Sequence, residues 1–279
     1  MLKLLFISAL LSIFLFFTFC NGQNKLNKSI IDKNNARQME LPKKLKEVSG
    51  IAFSADGRLF AHDDERAVIY QINPQNGNVI KAFYFGMLVK RGDFEDIAIV
   101  GNDFYMVTAN GIIYRFEDGD DGQQVDYTPF PTHLSTGNDV EGLCYDPQTN
   151  SLLLALKGNP GNGFGKDKKA IYSFSLKTKE LDKNPRFILD KKALKKYSKE
   201  NDFAPSGIAR NPETGNFFVI ASKGNIIVEL NKQGFVVSVS QLDGRAHYQP
   251  EGISFLDEKT LYISDEGKRR GKLTMYKLD

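Results

Sequence analysis

The chain has 279 residues, 41% of them hydrophobic and 25% charged, with 21 Phe, 11 Tyr and no Trp. That apolar content excludes wholesale disorder. The net charge of +3, from 37 basic and 34 acidic residues, lacks the excess of a nucleic-acid binder, so no nucleic-acid partner is expected. Two cysteines exclude a disulfide scaffold and a thiolate zinc cluster, and three histidines leave little for an imidazole-rich site.

Residues 1–20 form an address. Lys3 precedes an apolar run over residues 4–19, shorter than the roughly 20 residues of a spanning helix. The polar stretch that follows makes residues 1–20 a secretory signal. Cys20 closes the run where the lipidated cysteine of a bacterial lipoprotein stands, although Phe19 occupies a place usually held by Gly, Ala or Ser. Lipidation at Cys20, cleavage near Gly22 and an uncleaved anchor are the three outcomes this pattern allows. The expected location is the cell envelope, membrane-anchored through a lipid or the signal segment and facing the periplasm or the exterior. Residues 21–38 are rich in Asn, Lys and Gln and form a polar linker. Cys144, within Gly142-Leu143-Cys144-Tyr145, is then the one cysteine of the exported part and is expected in the core.

From residue 39 onward one pattern recurs. Its copies are Val48-Ser49-Gly50-Ile51-Ala52-Phe53, Phe94-Glu95-Asp96-Ile97-Ala98-Ile99, Val140-Glu141-Gly142-Leu143-Cys144-Tyr145, Pro205-Ser206-Gly207-Ile208-Ala209-Arg210 and Pro250-Glu251-Gly252-Ile253-Ser254-Phe255. Their third positions, 50, 96, 142, 207 and 252, are 46, 46, 65 and 45 residues apart. A turn and a second β-rich run follow each copy, then a third run with an apolar-aromatic centre such as Val68-Ile69-Tyr70. A fourth run is visible in the first four units, at residues 79–85, 124–130, 186–189 and 236–242. Short strands punctuated by turns predict an all-β, five-bladed β-propeller of four-stranded antiparallel blades over residues 39–279. The fifth unit lacks its outer strand, and the segment at residues 38–45 is expected to supply it and close the ring. The long step comes from a loop at residues 158–168 and a lysine-rich segment in which Asp190 caps a short helix bearing Leu194 and Tyr197.

The second position of each copy is Ser49, Glu95, Glu141, Ser206 or Glu251. In a propeller these positions lead into the innermost strands and converge on the mouth of the central channel. Three carboxylates around one axis repel unless they are protonated, solvated or neutralised by a cation. Oxygen ligands at adaptable distances suit Ca²⁺, and Mg²⁺ less well. The candidate metal ligands are therefore Glu95, Glu141, Glu251, Asp96 and Asp139, with Asp93 and Glu47 as further acidic oxygens. The alternative is a set of solvated carboxylates partnered by Lys157 and Lys223. Asp64, Asn110, Lys157, Lys223 and Glu266, which follow the second strands, form a second mixed ring. The glycine-rich segment at 161–166 departs from a phosphate loop and is expected to be a plain loop. Asp118-Gly119-Asp120-Asp121-Gly122 lacks the glutamate of a calcium loop and is expected to be a hairpin turn, while His247 is expected at the surface. No catalytic residue is assigned.

Asp139-Val140-Glu141-Gly142-Leu143, Gln249-Pro250-Glu251-Gly252-Ile253 with Tyr262-Ile263-Ser264-Asp265-Glu266, and Glu47-Val48-Ser49-Gly50-Ile51 together resemble the SdiA-regulated family of bacterial proteins. The resemblance implies a five-bladed propeller, distantly similar to NHL repeats, in an envelope-anchored, calcium-binding protein. The resulting expectation is a monomeric, non-catalytic binder of a small ligand or an envelope protein. A metal-dependent hydrolase, such as a lactonase or phosphoesterase, and a structural adhesin are the alternatives.

Overall fold

Apolar runs that alternate with polar residues and stop at turn-forming segments fold here as short antiparallel strands. The computed structural model describes residues 31, 35–198 and 202–278, so the signal segment and Cys20 lie outside the described residues. After the closing strand β1 (Arg37–Glu40), the first blade is β2 (Val48–Phe53), β3 (Leu59–Asp63), β4 (Val68–Ile72) and β5 (Val79–Phe85). The second comprises β6 (Phe94–Val100), β7 (Asp103–Thr108), β8 (Ile113–Glu117) and β10 (Tyr127–Phe130), and β9 (Gln124–Val125), between β8 and β10 in sequence, joins the sheet of the first blade. The third comprises β11 (Val140–Asp146), β12 (Ser151–Leu156), β13 (Lys168–Ser175), β14 (Glu180–Leu181) and β15 (Phe187–Asp190). The fourth is β16 (Ala204–Arg210), β17 (Phe217–Lys223), β18 (Ile226–Leu230) and β19 (Val236–Gln241). The fifth is β20 (Pro250–Asp257), β21 (Thr260–Asp265) and β22 (Lys272–Lys277), completed by β1.

The first strand of each blade, β2, β6, β11, β16 and β20, packs against its counterparts in the two neighbouring blades, which makes a closed five-bladed propeller. Five apolar clusters fill the five wedges between blades. The wedge between the first two blades is a run of aromatic rings, with Phe60 and Phe104 edge to face at 4.8 Å. Phe218 with Phe255, and Phe53 with Tyr262, do the same elsewhere at 5.0 and 5.1 Å. Phenylalanine and tyrosine thus supply the area and shape that a chain without tryptophan needs between twisted sheets. Cys144 is buried, as expected of a small core residue.

Two strands differ from their sequence-based boundaries. The closing strand is Arg37–Glu40, paired antiparallel with β22, rather than residues 38–45; beyond it Leu41 and Leu45 plug the wedge between the last and first blades. The run at 124–130 divides, because β9 pairs in parallel with β5 of the first blade while β10 alone edges its own blade. The acidic turn explains the division. Asp118 bridges Arg58 and Lys81 at 2.5 and 2.7 Å, and Asp121 accepts the Ala82 N–H at 2.8 Å, clasping the second blade to the first. Asp190 caps the short helix α1 (Lys191–Leu194) by accepting from Lys192 N at 2.8 Å, and Leu194 is buried, as the sequence predicts. Among the described residues no helix is long and apolar enough to cross a membrane.

The inner strands approach so closely that side chains are excluded at one level. A Cβ on Gly207 would overlap the Glu251 carbonyl oxygen, and one on Gly252 would stand 2.5 Å from that of Ser49. Replacing Gly207 by Ala is therefore expected to cost about 1–3 kcal/mol of stability by overpacking. The same change at Gly137, which meets only Ser135 Oγ at 3.7 Å, should shift stability by less than about 1 kcal/mol. Urea unfolding of the two variants checks this.

Candidate functional site

Antiparallel pairing brings the two sequence-predicted rings into one pocket. Register pairs Val48 with Asp63, Val140 with Leu156 and Pro250 with Asp265, so each inner strand starts beside the end of its neighbour. Glu95, Glu141, Glu251 and Asp139 accordingly meet Asp64, Lys157 and Glu266 in a cavity of about 300 Å³ at the channel mouth, with Glu47, Asp93, Ser49 and Gln249. Asn110 bonds instead with Thr108, and Lys223 is exposed and turned to Asp202 at 3.9 Å. Asp96 also leaves the cluster. It stands where the four other inner strands carry glycine, fully buried, and accepts the N–H groups of Ile97 and Leu143 at 2.8 and 2.6 Å. Its carboxylate ties the second blade to the third instead of lining the mouth.

The hydroxyl positions of the repeat serve the same tying role. Ser49 Oγ donates to the Glu95 carbonyl at 2.5 Å and Ser206 Oγ to that of Pro250 at 2.6 Å. The glutamates are left to the cavity. Lys157 Nζ donates to Glu141 Oε1 at 2.6 Å, with Glu141 almost wholly buried and Lys157 reaching it from the pocket edge. One ammonium faces three carboxylates of the repeat. Burial, reinforced by the Glu141 charge, pushes the Glu95 carboxyl far above the usual range, and burial raises Glu141 even against Lys157. Glu251 is pushed up to about 8 by burial and by Glu141. Asp64 rises to about 6 by burial and by Glu47, and its Oδ1 is buried with no hydrogen-bond partner. Asp139 holds a left-handed backbone, φ 55°, and its carbonyl receives the Lys157 N–H at 2.8 Å. The pocket thus gathers more carboxylates than ammonium groups, and burial raises the carboxyls of Asp64, Glu95, Glu141 and Glu251 within it. Among the described residues no three His, Cys, Asp or Glu side chains are already drawn together as a metal-ligand set.

His247 is a correction. It is fully buried, with Nδ1 hydrogen-bonded to Asp265 Oδ2 at 2.8 Å and Nε2 to the Tyr276 hydroxyl at 2.5 Å. The closing strand covers it, since Gln38 Nε2 donates to Ala246 O and to Thr274 Oγ1, both at 2.9 Å. Gln249, which bonds Glu266 within the pocket, carries no mark in the repeat and is found only from the fold.

Comparison with known proteins follows the architecture. A family model described as SdiA-regulated matches residues 29–266. No curated protein matches the sequence. Among solved structures, the glutaminyl cyclase of Myxococcus xanthus is similar at TM-score 0.57 and 14% identity, over 88% of this chain and 96% of that one. The PQQ-bound aldose sugar dehydrogenase of Streptomyces coelicolor gives 0.52 and 12%, over 87% and 98%. A virginiamycin B lyase of Staphylococcus aureus gives 0.49 and 14%, over 87% and 70%. At such identities the likeness shows the fold alone.

The raised carboxyls set a pH dependence for the metal-free protein. An acid whose folded pKa exceeds its unfolded value stabilises below the unfolded pKa and loses that contribution as pH rises through the folded one. Burial lowers His62 to about 4 and acts oppositely, but only below its unfolded value near 6.5. Stability should therefore fall from pH 6.5 to 8, by up to about 1.4 kcal/mol per pH unit for each proton lost. Glu251→Gln should flatten the decline in urea titrations at stepped pH.

Proposed function

The chain belongs to the SdiA-regulated family, and on that premise we propose an exported, membrane-tethered propeller that binds Ca²⁺ at its channel mouth. The reading is of a non-catalytic, monomeric module that offers this mouth to a small ligand or an envelope protein. The observation that carries the cation is the crowding of Glu95, Glu141 and Glu251 in one pocket with a single close ammonium. Buried carboxyls are costly to ionise alone, and a divalent ion removes that cost by replacing protons. Oxygen donors without sulfur or imidazole suit a hard cation, and Asp64 Oδ1 is a buried acceptor awaiting a partner. Glu95, Glu141 and Glu251 would hold the ion, with Asp64 and Asp139 beside them. Bound there, Ca²⁺ would supply charge neutralisation and open coordination for an anionic or carbonyl oxygen. The tether is supported by the apolar run at residues 4–19 that ends at Cys20.

Ca²⁺ that binds only the native state raises stability, by about 2.7 kcal/mol at a hundred times Kd. Calcium should thus raise the melting temperature of the wild type, more at pH 8 than at pH 6. Glu95→Gln, Glu141→Gln and Glu251→Gln combined should abolish that shift. An unchanged shift in the triple variant overturns the site, and calcium-dependent turnover in an esterase and lactonase screen overturns the non-catalytic reading.

Membrane attachment is tested separately. Cys20→Ser should move the protein from the membrane pellet to the soluble fraction after cell disruption. Retention in the pellet would replace lipidation by an uncleaved anchor.

A further inference from the structure

The other end of the channel is built from the same repeat with opposite chemistry. Beyond the glycine level every inner strand carries a small residue, Ala52, Ala98, Cys144, Ala209 or Ser254, and the strands part around a chamber of about 230 Å³. Its outer ring comes from the sixth position of each repeat. Four of these are Phe53, Ile99, Tyr145 and Phe255, while the fourth blade places Arg210 there. Arg210 is the one charged residue among the described residues that line the chamber.

Packing of the repeat does not call for that arginine, because its four counterparts are apolar. Its side chain is only 16% exposed, and its Nε is buried without a hydrogen-bond partner. Asp146 Oδ1 lies 3.4 Å away, but Arg186 already holds the other oxygen of that carboxylate at 2.7 Å. Two guanidiniums sharing one carboxylate leave a positive charge unanswered beside the chamber. The inner strands are also the free edges of their sheets, so backbone N–H and C=O groups face the axis as further partners.

We propose that this chamber is a second binding site, for a small organic anion whose apolar body fills the channel and whose carboxylate meets Arg210. An apolar cavity of about 150 Å³ takes a benzene ring. The larger chamber here suits a ring with a short acid-bearing side chain. The close approach of strands at Gly207 and Gly252 lies between chamber and mouth, so this site works without the cation and does not rest on it.

Calorimetry with phenylacetate and 3-phenylpropionate, each against its neutral amide, tests the proposal on the full exported protein in chelator. The carboxylates should bind about tenfold or more tightly than the amides, the size of one charge-assisted hydrogen bond. Arg210→Gln should bring the carboxylates down to the amide level, and Arg210→Lys should restore part of the difference. Absence of saturable binding at millimolar ligand by the folded wild type overturns the proposal. Equal affinity for acid and amide, or an Arg210→Gln variant that binds acids as the wild type does, overturns it as well.

Discussion

Everything in this molecule depends on how closely five inner strands crowd one axis. At the third position of the repeat, backbone meets backbone, and Gly207 and Gly252 leave no room for a β-carbon. Serine hydroxyls at Ser49 and Ser206 and the Asp96 carboxylate then stitch three of the five inner strands to the next blade. These bonds satisfy groups at the free sheet edges that would otherwise be buried without partners. With the centre fixed, the blades must splay outward, and the widening wedges are filled by phenylalanine and tyrosine.

The same crowding creates chemistry. Residues one step before the constriction converge on the mouth, so that Glu95, Glu141 and Glu251 share a small volume with Lys157. In low dielectric such a group cannot ionise fully without a counter-charge, which is why burial is the leading cause of each raised carboxyl. Residues two and three steps beyond the constriction converge on the far chamber, where small and aromatic side chains replace acids. One repeat thus makes a channel that is acidic at one end and, at the other, lined by mainly apolar side chains, backbone and a single arginine.

Closure of the ring is a separate constraint. The outer strand of the last blade comes from the N-terminal side of the propeller, so Arg37–Glu40 locks the first and last strands of the ring into one sheet. That strand overlies the buried His247, Asp265 and Tyr276 chain of hydrogen bonds. Asp265 Oδ1 is left without a partner, and burial raises the pKa of this carboxyl despite His247. Asp118 and Asp121 perform a comparable clasp between the first two blades. Polar ties of this kind cost desolvation but specify which blade meets which.

Several features were legible in the residues alone. Third positions at 50, 96, 142, 207 and 252 announce five repeating units, and turn residues between apolar runs announce their strands, because both are properties of local pattern. The convergence of Glu95, Glu141 and Glu251 follows from that repeat once it closes. What the chain alone left open depends on partners distant in sequence. Asp96 looked like a channel acid until the N–H of Leu143, 47 residues on, claimed it. His247 looked exposed until the N-terminal strand covered it, and Asp64 joined the acidic pocket only through the pairing of β2 with β3. Periodicity therefore determined the ring and the level at which each residue sits. Only tertiary structure decided whether a carboxylate at that level faces the channel or the backbone of the next blade, because that choice is made by which buried N–H group lacks a partner.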